Sequence, residues 1–94
     1  MLVALMCFDK PNSVDLRMKL RPEHLAWIDA TGVKFAFAGP MLNEKGEGSH
    51  GSVIVGEFES LEAAEAFSKA DPYRQNGLFE RVVIKRTFQV YPKT

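Results

Sequence analysis

Leu2 to Phe8 reads LVALMCF, an unbroken apolar run that predicts a short strand buried on both of its faces. Asp9-Lys10-Pro11-Asn12 supplies the turn that ends it. Ser13 then stands where a helix N-cap belongs. Leu16, Leu20, His24, Trp27, Ile28 and Thr31 follow at three- and four-residue steps, and Gly32 is the residue type that closes helices. Pro22 lies inside this pattern and predicts a kink or a restart, with Pro22 in the first turn of the second half.

Val33 to Ala38 alternates large with small residues, which predicts a second strand with Val33, Phe35 and Phe37 on one face and Ala36 and Ala38 on the other. Gly39-Pro40 is expected to end it. Asn43 to Gly51 contains Gly46, Gly48 and Gly51 and no large apolar residue, so it reads as an exposed loop. A third strand is expected from Ser52 to Glu59. Ser60 caps a second helix with Leu61, Ala64 and Phe67 as its apolar stripe. Asp71-Pro72 opens a short turn that closes at Asn76-Gly77. The last strand is expected from Leu78 to about Tyr91, with Val82 and Ile84 on one side and Phe79 and Val83 on the other.

The order β-α-β-β-α-β predicts an α+β, ferredoxin-like fold: a four-stranded antiparallel sheet with two helices on one face. Those helices leave the other face bare, although the first strand is apolar on both faces, Leu2, Ala4, Met6 and Phe8 on one and Val3, Leu5 and Cys7 on the other. A contiguous apolar patch of this kind is rare on a monomer, so a second copy of the chain across a two-fold axis is the expected cover, giving a homodimer.

Composition narrows the classes. A chain of 94 residues has room for one hydrophobic core, so a single domain over 1–94 is expected. Its 12 basic residues cancel its 12 acidic ones, which leaves no net field to attract nucleic acid or an anionic membrane. Cys7 is the only cysteine and cannot form an internal disulfide, which points to a reducing, cytoplasmic setting. No run is long enough to span a bilayer, and no signal peptide is expected. The two histidines lack neighbours at ligand spacing, so neither a metal site nor another cofactor is expected.

His24 shares the helical stripe of Leu20, Trp27 and Ile28 and therefore points toward the sheet. An imidazole there is either a core residue bonded to a backbone carbonyl or a proton-transfer group. Arg17 and Arg21 precede it on the helix, either to hold an anion or a partner carboxylate near the same edge or as a solvated basic face. Asp71 before Pro72 is a helix cap, and one of its oxygens can cap while the other orients an imidazole. His50 sits among glycines but lacks the glycine-lysine ending of a phosphate-binding loop. Cys7 reads as a small packed residue.

Arg21-Pro22-Glu23-His24-Leu25, Ala38-Gly39-Pro40-Met41, Gly51-Ser52, Glu57-Phe58-Glu59-Ser60-Leu61-Glu62-Ala63-Ala64 and Ala70-Asp71-Pro72-Tyr73 occur in this order along the chain. Together they resemble the YCII-related domain family, with a more distant likeness to chloromuconolactone dehalogenase and muconolactone isomerase. The resemblance implies a dimeric α+β barrel with a pocket between the first helix and the strands. It further implies His24 and Asp71 as an acid/base pair and places Gly39, Pro40 and Ser52 at the pocket wall; with Arg21 as a carboxylate clamp and Tyr73, these are the expected substrate-binding residues. The activity so implied is proton transfer (isomerisation, elimination or dehalogenation) on a small organic acid or lactone. The alternative is a non-catalytic module that binds a small molecule in the same pocket, and a third reading is an oligomerisation scaffold.

Overall fold

The computed structural model describes residues 1–93, so Thr94 of the expected domain lies outside the described residues. Strand β1 (Leu2–Asp9) leads into helix α1 (Val14–Ala30). Strands β2 (Phe35–Leu42) and β3 (Ser49–Glu57) follow, then helix α2 (Leu61–Ala70), the short helix α3 (Pro72–Gln75) and strand β4 (Phe79–Thr87). The sheet is antiparallel throughout, in the order β2-β3-β1-β4. This is the ferredoxin-like arrangement. No helix among the described residues is long and apolar enough to cross a membrane.

β1 lies in the middle of the sheet, which explains its apolar sequence. Val3, Leu5 and Cys7 are buried on the helix-covered face, opposite Gly56, Ile54 and Ser52 of β3. Val3, Leu5, Ile54, Phe58, Ala64 and Phe67 form the main core, with Trp27, Ile28, Val33 and Phe35 packed around it. A smaller cluster joins Leu20, Tyr73 and Leu78, with Phe79 against it. Leu2, Ala4, Met6 and Phe8 point the other way and stay half-buried, beside Val53 and Val55.

Several local expectations need correction. Ser13 stands at the N-cap of α1 but its side chain makes no capping bond: its backbone (φ −113°, ψ 14°) is not the extended one of a capping residue, and its hydroxyl donates to Pro11 O at 3.3 Å. α1 is one helix through Pro22, with no restart; Pro22 and Met18, whose carbonyl loses its partner, both lie on the solvent side. β2 does not stop at Gly39-Pro40 but runs on to Leu42, since an edge strand tolerates a proline whose missing N–H would face solvent. An irregularity between Phe35 and Phe37 also puts these rings on opposite faces: Phe35 pairs with Gly56 and joins the core, whereas Phe37 pairs with Val55 and is 57% exposed. Finally, β4 ends at Thr87, the partner of Leu2; beyond it β1 has no residue to pair with, and Phe88 to Tyr91 is not strand. A register shift at Phe8/Asp9 also turns Phe79 toward Tyr73 instead of the Val83 side.

Elsewhere the local chemistry behaves as its residue types require. Ser60 Oγ accepts from Ala63 N at 3.0 Å, and Gly32 (φ 70°) and Gly77 (φ 75°) take the left-handed conformation after their helices. β3 begins earlier than expected, at Ser49, within the glycine-rich stretch. There Gly51 passes so close to β1 that an added Cβ would overlap the Cys7 carbonyl oxygen and lie 2.9 Å from Met41 Cε. Gly51→Ala is therefore expected to lower unfolding free energy by about 1–3 kcal/mol in a urea titration. An unchanged midpoint would mean that the two strands part without strain.

Candidate active site

α1 crosses the sheet so that its stripe of Arg17, Leu20 and His24 is buried while β2 stays uncovered. A cleft of about 590 Å³ opens between them. Arg17, Arg21 and His24 line it from α1, Gly39 and Pro40 from β2, and Ser52 and Tyr73 close its floor and end. Phe35 and Ala38 both face it, because the irregularity in β2 brings the ring and the small residue to one side. The wall is therefore aromatic at one point and open at another.

The histidine is held by a carboxylate and not by a backbone carbonyl: His24 Nδ1 lies 3.0 Å from Asp71 Oδ1, with both residues buried. Opposite an ionised carboxylate Nδ1 carries a hydrogen, and in the neutral imidazole Nε2 then holds the lone pair. No protein hydrogen bond engages Nε2 among the described residues. Asp71 Oδ1 also accepts from Tyr73 N at 2.9 Å, which caps α3. A single oxygen thus does both jobs that were expected of two, because the cap geometry already aims Oδ1 at the α1 stripe. Asp71 stands behind the ring and takes no part in the cleft wall.

Tyr73 stacks on His24 with centroids 4.0 Å apart and planes inclined by 10°. The Arg17 guanidinium lies 4.4 Å from the same tyrosine centroid, and since the imidazole covers one face, the guanidinium covers the other. Burial pushes the Tyr73 hydroxyl above its ordinary pKa, against an opposing pull from Arg17. Arg17 Nε donates to Asp9 Oδ2 at 2.7 Å, and Nη2 donates to Asp9 Oδ1 at 3.2 Å and to Ser52 Oγ at 2.7 Å. Beneath the site, Cys7 is held as a neutral thiol: burial and the nearby Asp71 carboxylate push its pKa up to about 12, which suits packing and not nucleophilic attack.

Arg17 holds a partner carboxylate, one of the alternatives open to it in the sequence; that this carboxylate is Asp9, which reads as a turn residue, is not foreseen there. The signals exist. Arg17 falls on the same stripe as Leu20 and His24, where a charge is out of place, and Asp9 continues the period-two series Val3, Leu5, Cys7. Arg21 is exposed at the cleft mouth, and His50 lies outside the cleft wall. Among the described residues no three His, Cys, Asp or Glu side chains converge at metal-binding spacing.

The likeness to known proteins covers the same ground. Protein YciI of Escherichia coli O6:H1 is 39% identical over 98 residues, an alignment that takes in 97% of this chain and 100% of the relative. An uncharacterized protein of Haemophilus influenzae is 30% identical over 90 residues, covering 88% of this chain and 92% of its own. Among solved structures, 5-chloro-2-hydroxyhydroquinone dehydrochlorinase (TftG) from Burkholderia phenoliruptrix AC1100, in complex with 2,5-dihydroxybenzoquinone, superposes with a TM-score of 0.88 at 27% identity over 94% of each chain. The model of the YCII-related domain matches residues 1–87, and on these grounds the chain belongs to the YCII-related domain family.

Proposed function

We propose that this chain is a small-molecule enzyme that moves a proton at a carbon beside a carbonyl, on a small, flat organic acid, lactone or hydroxylated ring. The observation that carries this is the His24–Asp71 hydrogen bond at the wall of a cleft, with Nε2 of the imidazole left without a protein partner. The His24 Nε2 lone pair takes a proton from carbon, the C–H electron pair becomes a double bond, and the carbonyl oxygen takes the negative charge as an enolate. Asp71 faces the imidazolium so formed and keeps the ring from turning.

Two outcomes follow from the enolate. Return of the proton at another carbon gives isomerisation; collapse with loss of a leaving group such as chloride gives elimination. Both balance without an external oxidant or reductant. The similarity to a dehydrochlorinase favours elimination on a ring substrate. Arg21, Gly39, Pro40, Ser52 and Tyr73 are the substrate contacts in this proposal, with Arg21 receiving a carboxylate at the mouth. The setting is a single cytoplasmic domain spanning 1–94.

Proton transfer is tested by hydrogen exchange. Small unsaturated acids, muconolactones and hydroxyquinones are incubated in deuterium oxide with the protein, and loss of C–H signal is followed by NMR. Wild type is expected to accelerate exchange of at least one compound, and His24→Gln to slow it by about 10²–10⁴-fold, with Asp71→Asn also impaired. Exchange that is indifferent to His24 would end the proposal; ligands that raise the melting temperature without any exchange would leave a binding module in its place.

The same proposal includes a homodimer joined through the helix-free sheet face, where Leu2, Ala4, Met6 and Phe8 meet Val53 and Val55. Light scattering at micromolar concentration should give the mass of two chains, and Val53→Lys should give one chain with an unchanged circular dichroism spectrum. A wild-type mass of one chain contradicts the dimer.

A further inference from the structure

Arg17 is 4% exposed, yet its hydrogen-bonding capacity is not used up. Nε and Nη2 are engaged by Asp9 and Ser52, while no protein acceptor meets Nη1 among the described residues. Among the described residues no fully enclosed side-chain nitrogen or oxygen lacks a partner, so Nη1 retains an opening, and the space that Arg17 borders is the cleft. Ser52, also 4% exposed, is in the same position: its Oγ accepts from Arg17, which leaves its own hydrogen to donate, and no acceptor for it is present among the described residues. Two adjacent buried groups thus offer N–H and O–H donors to one cavity.

The charges define what would sit there. Asp9 offsets most of the Arg17 charge, so the seat suits a single ionised oxygen in a conjugated system better than a phosphate. Arg17 and His24 stand two helical turns apart, about 10 Å by the rise of a helix, with the Tyr73 ring between them. A planar molecule about one ring wide, lying in the cleft beside Tyr73, reaches both side chains.

We infer that Arg17 Nη1 and Ser52 Oγ form an oxyanion seat, and that the substrate is a planar conjugated molecule with one ionised oxygen held there and its reacting carbon at His24. This rests on the proton-transfer proposal for the location of the chemistry. When His24 takes the proton, the new negative charge is shared through the conjugated system with the oxygen that these donors face, and the seat stabilises it there.

The test uses quenching of Trp27, the single tryptophan, whose ring lies 5.8 Å from His24. Two probes of one shape are titrated: 2,5-dihydroxy-1,4-benzoquinone, whose ring oxygens ionise, and 2,5-dimethoxy-1,4-benzoquinone, whose oxygens do not. Wild type should bind the ionised compound at least about 10-fold more tightly, the value of a hydrogen bond to a charged group. Ser52→Ala should remove most of that preference, and Arg17→Lys, which keeps the charge opposite Asp9 but loses Nη1, should do the same. If Arg17→Lys does not fold, Ser52→Ala decides alone. Equal affinities in wild type, binding of neither probe, or a preference that survives these substitutions overturns the seat. His24→Gln separates the two proposals. Selective binding without His24-dependent exchange keeps the seat and removes the proton transfer; His24-dependent exchange without ionic preference does the reverse.

Discussion

One oxygen atom ties the molecule together. Asp71 Oδ1 accepts the Tyr73 N–H at 2.9 Å and holds His24 Nδ1 at 3.0 Å, so the cap of α3 and the orientation of a side chain on α1 are the same interaction. A helix cap is worth about 1 kcal/mol and a hydrogen bond to a charged group about 1.5–3 kcal/mol. The geometry spreads further than either value. Capping α3 fixes the Tyr73 backbone, the Tyr73 ring packs with Leu20 and Leu78, and its two faces receive His24 and Arg17. A segment of four helical residues could not hold a ring in place by itself. It does so because its first carboxylate is bonded to the opposite helix.

The sheet sets the second constraint. β1 contributes Val3, Leu5, Cys7 and then Asp9 to one face, with small residues opposite two of them, Gly56 beside Val3 and Ser52 beside Cys7 on β3. Asp9 reaches Arg17 because it is the next member of that period-two series, and the register shift beside it turns Phe79 under Tyr73. The irregularity at Phe35/Phe37 works likewise at the other edge. It leaves one phenylalanine in the core and sends the other to the helix-free face, so that face gains apolar area where the cleft gains room.

What the sequence made legible follows the range of the forces involved. The α1 stripe, the Ser60 cap, the Asp71-Pro72 turn and the two-faced β1 depend on neighbours within a few residues, and each is visible in the spacing of residue types. His24 and Asp71 are 47 positions apart, and composition or period alone does not pair them; the motif resemblance did. The reach of β2 through Pro40 and the end of β4 at Thr87 depend on which strand lies alongside and where it stops. The same holds for Phe37 and Phe79, whose faces are set by irregularities in pairing that leave no mark in a simple alternation. Arg17 is the instructive case. Its position on an apolar stripe was a signal, but a basic residue on a helix is usually solvated, and only the arrival of Asp9 from β1 makes its burial affordable.

That burial bears on the purpose of the site. Taking two opposite charges out of water costs several kcal/mol per ion, and their attraction together with added hydrogen bonds does little more than offset it. Well-packed apolar residues of similar volume would hold α1 to β1 about as firmly. The Arg17–Asp9 pair, 2.7 Å at its shortest, is thus a weak stabiliser of the fold, and stability gives no reason for it to lie beside Tyr73 and Ser52. Its worth lies in what a buried, already neutralised guanidinium can do: present N–H groups at fixed positions without the mobility of a surface arginine such as Arg21, and without filling the cleft with net positive charge. On the other side of the same tyrosine, His24 meets the parallel condition, with one nitrogen committed to a carboxylate and the other left open. Two buried side chains, each paired once with an acid and each retaining one polar edge toward a shared cavity, are the arrangement on which the proposed ligand site rests.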